Sequence, residues 1–189
     1  MRLFVAAEIG ERVARRIGAL IDDLRGRVAA SASRAKVTWV AVDRLHVTVR
    51  FIGEVDDTRV EAFRSALRHP LSGTAFELSF AGVGSFPKSG SPRVIWVGLA
   101  DGADALAAFE RQITQRLVDL GIAEESRPYK PHLTLARVRE PSGLNSGPLL
   151  DGMRDLRLGT AHIDAITLFQ SRLSPKGPTY TPLERIPFA

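Results

Sequence analysis

The segments Arg44-Leu45-His46-Val47-Thr48-Val49 and Lys130-Pro131-His132-Leu133-Thr134-Leu135 repeat one pattern, His–apolar–Thr–apolar, in a chain of 189 residues. The two histidines stand 86 positions apart, a little under half the length. In an extended strand, side chains at i and i+2 point to the same face. His46 and Thr48 are therefore neighbours on one face, as are His132 and Thr134. Val47, Val49, Leu133 and Leu135 turn the other way, into apolar packing. With ten threonines in the chain, a single His-x-Thr is a weak signal. Two among four histidines, both within apolar strands, is a stronger one. The repeat predicts two related lobes, each giving one equivalent strand to a shared cleft.

Strand and helix signals alternate around these segments. Residues 3–8 form a short apolar run that reads as a strand, and residues 37–40 and 45–52 are β-branched or aromatic runs. Val13, Ile17, Leu20, Ile21 and Leu24 recur at three- and four-residue steps, which predicts an amphipathic helix over 11–28. A second helix over 59–68 ends at His69-Pro70, because a residue before proline avoids helical geometry. Strands are predicted at 76–83 and 93–99, separated by a loop at 84–92 rich in Gly, Pro and Ser. A long helix over 103–120 closes at Gly121. Strands follow at 132–138, 163–170 and 180–186, with a Gly- and Pro-rich loop after the first and a turn at 174–178 before the last. No linker of disordered composition divides the halves, so residues 1–189 are expected to form a single bilobal domain.

Composition narrows the chemistry. Hydrophobic residues make up 44% and charged residues 25%, the balance of a soluble globular protein. There is no cysteine, which excludes disulfides and thiolate chemistry. The apolar stretch at residues 3–7 is too short for a signal-peptide core, and no run approaches the roughly 20 apolar residues of a membrane span. The protein is expected in the cytoplasm, away from membranes. The net charge is +5, and lysine appears only at 36, 88, 130 and 176, so arginine dominates. Arginine's planar fork suits phosphate, although a GC-rich genome also spells basic residues as arginine.

Two His-Thr pairs facing one cleft can open a cyclic phosphodiester with water. One group must take a proton from water, and another must protonate the departing ribose oxygen. Histidine, with an ordinary pKa of about 6.5, suits both tasks. Each such transfer typically contributes about 10²–10⁴ in rate. The threonine hydroxyls can donate to the non-bridging phosphate oxygens. A metal site would need a third ligand, and no Asp or Glu stands at an obvious spacing from either histidine. Neither a metal nor an organic cofactor is expected.

The doubled motif resembles the two-histidine (2H) phosphoesterases, and within them the bacterial and archaeal RNA 2′,3′-cyclic phosphodiesterases, also called 2′-5′ RNA ligase-like proteins. Residues 2–9 (RLFVAAEI), 37–55 (VTWVAVDRLHVTVRFIGEV), 86–98 (FPKSGSPRVIWVG), 127–138 (RPYKPHLTLARV) and 171–180 (SRLSPKGPTY) carry the resemblance. It implies an α+β fold of two pseudo-symmetric lobes, each an antiparallel sheet with flanking helices, around a central cleft. It also implies metal-independent hydrolysis of RNA 2′,3′-cyclic phosphate ends to 2′-phosphate. Carried over residue by residue, His46 resembles the proton donor to the leaving 3′ oxygen and His132 the proton acceptor from water. Thr48 and Thr134 would hold phosphate oxygens.

Arg137, five residues after His132, matches a family arginine that contacts phosphate. Simple alternation puts an offset of five on the opposite strand face, and a bulge or the strand end would restore its aim. Phe51 and Phe86 can stack a terminal base, but pattern alone assigns both to the core. His69 and His162 stand outside the mechanism, and Lys176 can approach an RNA backbone. The expected partner is RNA with a 2′,3′-cyclic phosphate end, or a cyclic nucleotide, met by a monomer with no obligate protein partner. Two other readings stay open: 2′-5′ RNA ligation in the reverse direction, and a non-catalytic RNA- or nucleotide-binding module.

Overall fold

The computed structural model describes residues 1–174 and 177–189. The turn expected at 174–178 and the role considered for Lys176 fall partly or wholly outside the described residues. Strand β1 (Arg2–Glu8) is buried from Leu3 to Ala7, the continuous apolar run of a strand covered on both faces. Helix α1 (Gly10–Ser31) follows and buries Val13, Ile17, Leu20, Ile21, Leu24 and Val28, the stripe its periodicity predicts. The chain continues through β2 (Lys36–Trp39), a 3-10 turn at Val42–Arg44 and β3 (His46–Glu54). Helix α2 (Val60–Leu67), β4 (Phe76–Phe86), β5 (Val94–Asp101) and α3 (Ala103–Val118) complete the first two-thirds. The remainder holds β6 (Leu133–Glu140), the short helix α4 (Ser146–Leu149), β7 (Arg157–Ile163), β8 (Ala165–Ser174) and β9 (Gly177–Pro187).

The fold is α+β with antiparallel strands, as expected, but the two lobes share one sheet. Its order is β7-β4-β5-β6-β3-β1-β8-β9, with β2 pairing β6 off this path. One lobe is β7, β4, β5 and β6, and the other is β3, β1, β8 and β9. They join at β3 and β6, where a single antiparallel pair, Val47↔Leu133, connects the strands that carry the two histidines. Beyond that pair β2 takes over the pairing with β6, from Trp39↔Ala136 to Lys36↔Glu140.

Two segments read as loops are partly ordered. β4 runs on to Phe86, because Gly84, Ser85 and Phe86 pair with Trp96, Ile95 and Val94 of β5. The stretch after β6 contains α4 and β7, and β7 pairs along β4 from Phe76↔Ile163 to Ala81↔Arg157. β7 is an edge strand, and Gly159 with polar neighbours at Arg157 and Thr160 hides its alternation.

Leu133 is fully buried at the junction of the lobes. Leu133→Ala removes the side chain there and should cost about 2–5 kcal/mol. Chemical denaturation should show a lower midpoint with an unchanged slope, since the residue packs the folded state without altering the chain's exposed surface on unfolding.

Candidate active site

The register at the lobe junction arranges the four motif residues. With Val47 opposite Leu133 in an antiparallel pair, His46 lies across from Thr134 and Thr48 across from His132. Val47, Leu133 and Leu135 are fully buried, so the intervening residues turn to the opposite face. All four motif side chains are half-buried there.

Each imidazole is held the same way. His46 Nδ1 lies 2.8 Å from the Arg44 carbonyl, and His132 Nδ1 lies 2.8 Å from the Lys130 carbonyl. A carbonyl oxygen can only accept, so each Nδ1 carries the proton and donates it. That leaves both Nε2 atoms as the nitrogens available for proton transfer. The sequence repeat is thus a repeat of ring orientation as well.

A cavity of about 400 Å³ opens beside these strands, lined by His46, Thr48, Phe51, Thr134, Arg137 and Tyr180 among others. That size suits a nucleotide-sized ligand. His132 stands next to this cavity without being among the residues that line it. Its ring is edge-on to Phe86 at 5.4 Å, and Trp96 lies 6.4 Å away. Gly84, paired with Trp96, makes this packing possible: a Cβ there would overlap the indole ring. Phe86 is therefore half-buried packing for His132, where pattern had assigned it to plain core.

Two β-bulges aim the next residues. On β6, Ile95 of β5 pairs with Ala136 and Trp96 with Thr134, so Leu135 is the extra residue. Leu135 and Ala136 are both buried, alternation is reset, and Arg137 emerges exposed into the cavity. On β3, Val5 of β1 pairs with Arg50 and Ala6 with Thr48, leaving Val49 extra. Val49 and Arg50 are both buried, and Phe51 is turned out to 55% exposure. The expectation that Phe51 is a core residue is thus corrected: the bulge places it in the cavity wall. Phe51 and Arg137 occupy the same offset, five residues after each histidine.

Residues 12–174 match the 2′-5′ RNA ligase superfamily. The chain belongs to that superfamily. Among its relatives, one from Methanocaldococcus jannaschii named RNA 2′,3′-cyclic phosphodiesterase is 32% identical, with 95% of this chain and 96% of the relative covered. A solved structure from Thermus thermophilus superposes with a TM-score of 0.80 at 25% identity, covering 100% of this chain and 98% of that one. E. coli LigT complexed with 3′-AMP shares the fold, with a TM-score of 0.72 at 24% identity over 99% and 97% of the two chains.

In this superfamily member the two histidines have different surroundings. His46 lies among Phe4, with ring centroids 5.0 Å apart, and Tyr180, edge-on at 5.3 Å. Burial depresses its pKa below the ordinary value; the Arg44 carbonyl opposes this, and the positive charge of Arg137 adds to it. Tyr180 is also held up by burial, partly offset by Arg44 and Arg137, so its phenol stays protonated near neutrality. Neither Tyr180 nor Phe4 is singled out by the sequence pattern, because Phe4 comes from the neighbouring strand β1 and Tyr180 from β9, distant in sequence. Behind the site, the Tyr129 hydroxyl donates to the Thr48 carbonyl at 2.8 Å, tying the chain just before β6 to β3. His162 instead pairs with Glu77 at 2.6 Å, and His69 is exposed, so neither joins the cleft. Among the described residues, no three His, Cys, Asp or Glu side chains converge to hold a metal ion.

Arg137 sits near enough to His46 for its charge to depress the imidazole. In a proton NMR titration of the free protein, His46 should titrate below 6.5, and Arg137→Gln should move the midpoint upward. The sign follows because removing a nearby positive charge favours the protonated ring. A midpoint unmoved by Arg137→Gln would separate the two side chains electrostatically.

Proposed function

We propose that this chain hydrolyses RNA 2′,3′-cyclic phosphate ends to 2′-phosphates, with His46 as proton donor and His132 as proton acceptor. The observation that carries the reading is the pair of imidazoles fixed by their Nδ1 protons to backbone carbonyls, each beside a threonine. His46 lines the cavity whose wall holds Arg137, His132 stands beside it, and the Nε2 of each ring is the nitrogen left for proton transfer. The relatives named RNA 2′,3′-cyclic phosphodiesterase support the same substrate class.

Water attacks phosphorus as His132 Nε2 removes its proton. The bond from phosphorus to the ribose 3′ oxygen breaks, and that oxygen takes the proton from His46 Nε2. The products are a 2′-phosphate and a 3′-hydroxyl. Thr48 and Thr134 hydroxyls donate to the non-bridging oxygens, and the Arg137 guanidinium balances the charge that builds on them. A free site disfavours the His46 imidazolium, but an anionic diester in the cleft favours it again. The acid is therefore charged by the arrival of its own substrate. Phe51 offers an exposed aromatic face on which the terminal base can stack. We place the reaction in the cytoplasm, carried out by a monomer on RNA ends or cyclic nucleotides.

A short RNA ending in a 2′,3′-cyclic phosphate, incubated with the protein in EDTA, should give a 2′-phosphate by phosphorus NMR. His46→Ala and His132→Ala should each lower kcat by about 10²–10⁴. A new 2′-5′ diester signal in place of the monoester would point to the ligation direction, and an unchanged substrate from about pH 5 to 8 would leave a binding module. Phe51→Ala should raise KM for a base-bearing substrate, on the scale of about 1–3 kcal/mol for one lost stack.

A further inference from the structure

Four arginines line the cavity: Arg2, Arg44, Arg137 and Arg139. Two are already engaged. Arg2 pairs with Glu54 at 3.1 Å, while Arg44 donates to the Pro178 carbonyl at 2.8 Å and approaches Asp43 at 3.8 Å. Arg137 and Arg139 make no ion pair or side-chain hydrogen bond among the described residues. The acid next to Arg139 is neutralised elsewhere, since Glu140 pairs with Lys36 across β2 and β6 at 2.8 Å.

The bulge at Leu135 turns Arg137 to the cavity face. A second register shift, with Val138 opposite Val37 and Glu140 opposite Lys36, leaves Arg139 as an extra residue of β6 that lines the same cavity. Both are exposed, with buried Val138 between them pointing the other way. Two residues of strand span at most about 6.6 Å, which keeps both guanidinium groups within reach of neighbouring phosphates on one extended strand. Arg139 lies on the far side of Arg137 from the histidines. Thr38, paired with Arg137 in the β2–β6 ladder, adds a hydroxyl to the same wall. One cation would serve the cyclic phosphate. The second has no partner among the described residues and nothing to do for a cyclic mononucleotide.

We propose that Arg139, with Thr38, forms a subsite for the internucleotide phosphate that precedes the cyclic end. The subsite makes the protein select oligonucleotide ends over cyclic mononucleotides. This inference rests on the phosphodiesterase reading and adds the polymer requirement to it. A basic groove that tracks the backbone is how single strands are held without regard to sequence.

The test compares kcat/KM for a cyclic-ended diadenylate with a natural internucleotide linkage and for the same molecule with a neutral methylphosphonate linkage. The two differ in one charge at the proposed subsite. The wild type should prefer the charged substrate by roughly tenfold, the scale of one charge-assisted contact, and the preference should weaken with salt. Arg139→Gln should collapse the ratio toward one. Because the ratio is internal to each protein, a partly misfolded variant would lower both rates and leave it intact. A wild type indifferent to the charge, or an Arg139→Gln variant that keeps the full preference, would overturn the subsite. Hydrolysis of neither substrate by the wild type would instead remove the phosphodiesterase reading, and the subsite with it.

Discussion

The site depends on one main-chain pairing, Val47 with Leu133. It is the only register pair between the two histidine strands among the described residues, and it decides which motif residues face each other. Because it is antiparallel, each histidine lies across from the other lobe's threonine. Because it is solitary, the strands part on either side of it, and the space between them becomes a cleft. Continuous pairing would have filled that gap with side chains from a flat sheet. Instead β2 pairs with β6 on one side, and the Tyr129 hydroxyl reaches the Thr48 carbonyl on the other. Both contacts brace the opening without closing it.

The second constraint is the bulge that follows each motif at the same place. A bulge adds one residue and flips every side chain beyond it. On β6 this turns Arg137 into the cleft, and on β3 it turns Phe51 there. It also turns Arg50 inward, to 3% exposure. A buried guanidinium is costly unless its charge is met. Here it meets Glu110 at 3.6 Å and Glu125 at 3.7 Å, and it donates to the Ala123 carbonyl. The backbone device is repeated but its cargo is not: one lobe presents a ring and the other a cation. That difference breaks the pseudo-symmetry, and on the proposed function it would set a nucleotide's orientation, base toward Phe51 and phosphate toward Arg137.

Much of this was legible in the sequence, for identifiable physical reasons. The stripe of α1 and the apolar runs of β1, β3 and β6 are long and strongly periodic, so they declare themselves. β7 does not, because an edge strand with Gly159 and polar neighbours needs no clean alternation. Phe51 was misread because alternation counts residues, and a bulge makes the count wrong by one. The corrective signal was nevertheless present. HVTVRF at 46–51 and HLTLAR at 132–137 run in parallel for six positions, so whatever aims Arg137 also aims Phe51. Tyr180 is different in kind. It meets His46 only because the sheet brings β9 back over β3, and no local pattern records a contact between residues 134 positions apart.

Equal backbone placement does not make the two histidines equal. His46 is enclosed by Phe4 and Tyr180 near Arg137, whereas His132 rests against Phe86 and Trp96 at the edge of the cavity. An acid and a base acting in one step need opposite protonation states at the same pH. A desolvated site amplifies every neighbouring charge, so the enclosed His46 ring is placed to respond to what enters the cleft. In the free protein burial, with the charge of Arg137 added, depresses its pKa. In the proposed mechanism a diester anion in the cleft would sit beside this ring and favour its protonated form until the ribose oxygen takes the proton. The Nδ1 carbonyls fix each ring's orientation, and on the proposed mechanism the arriving anion would determine when the proton is there.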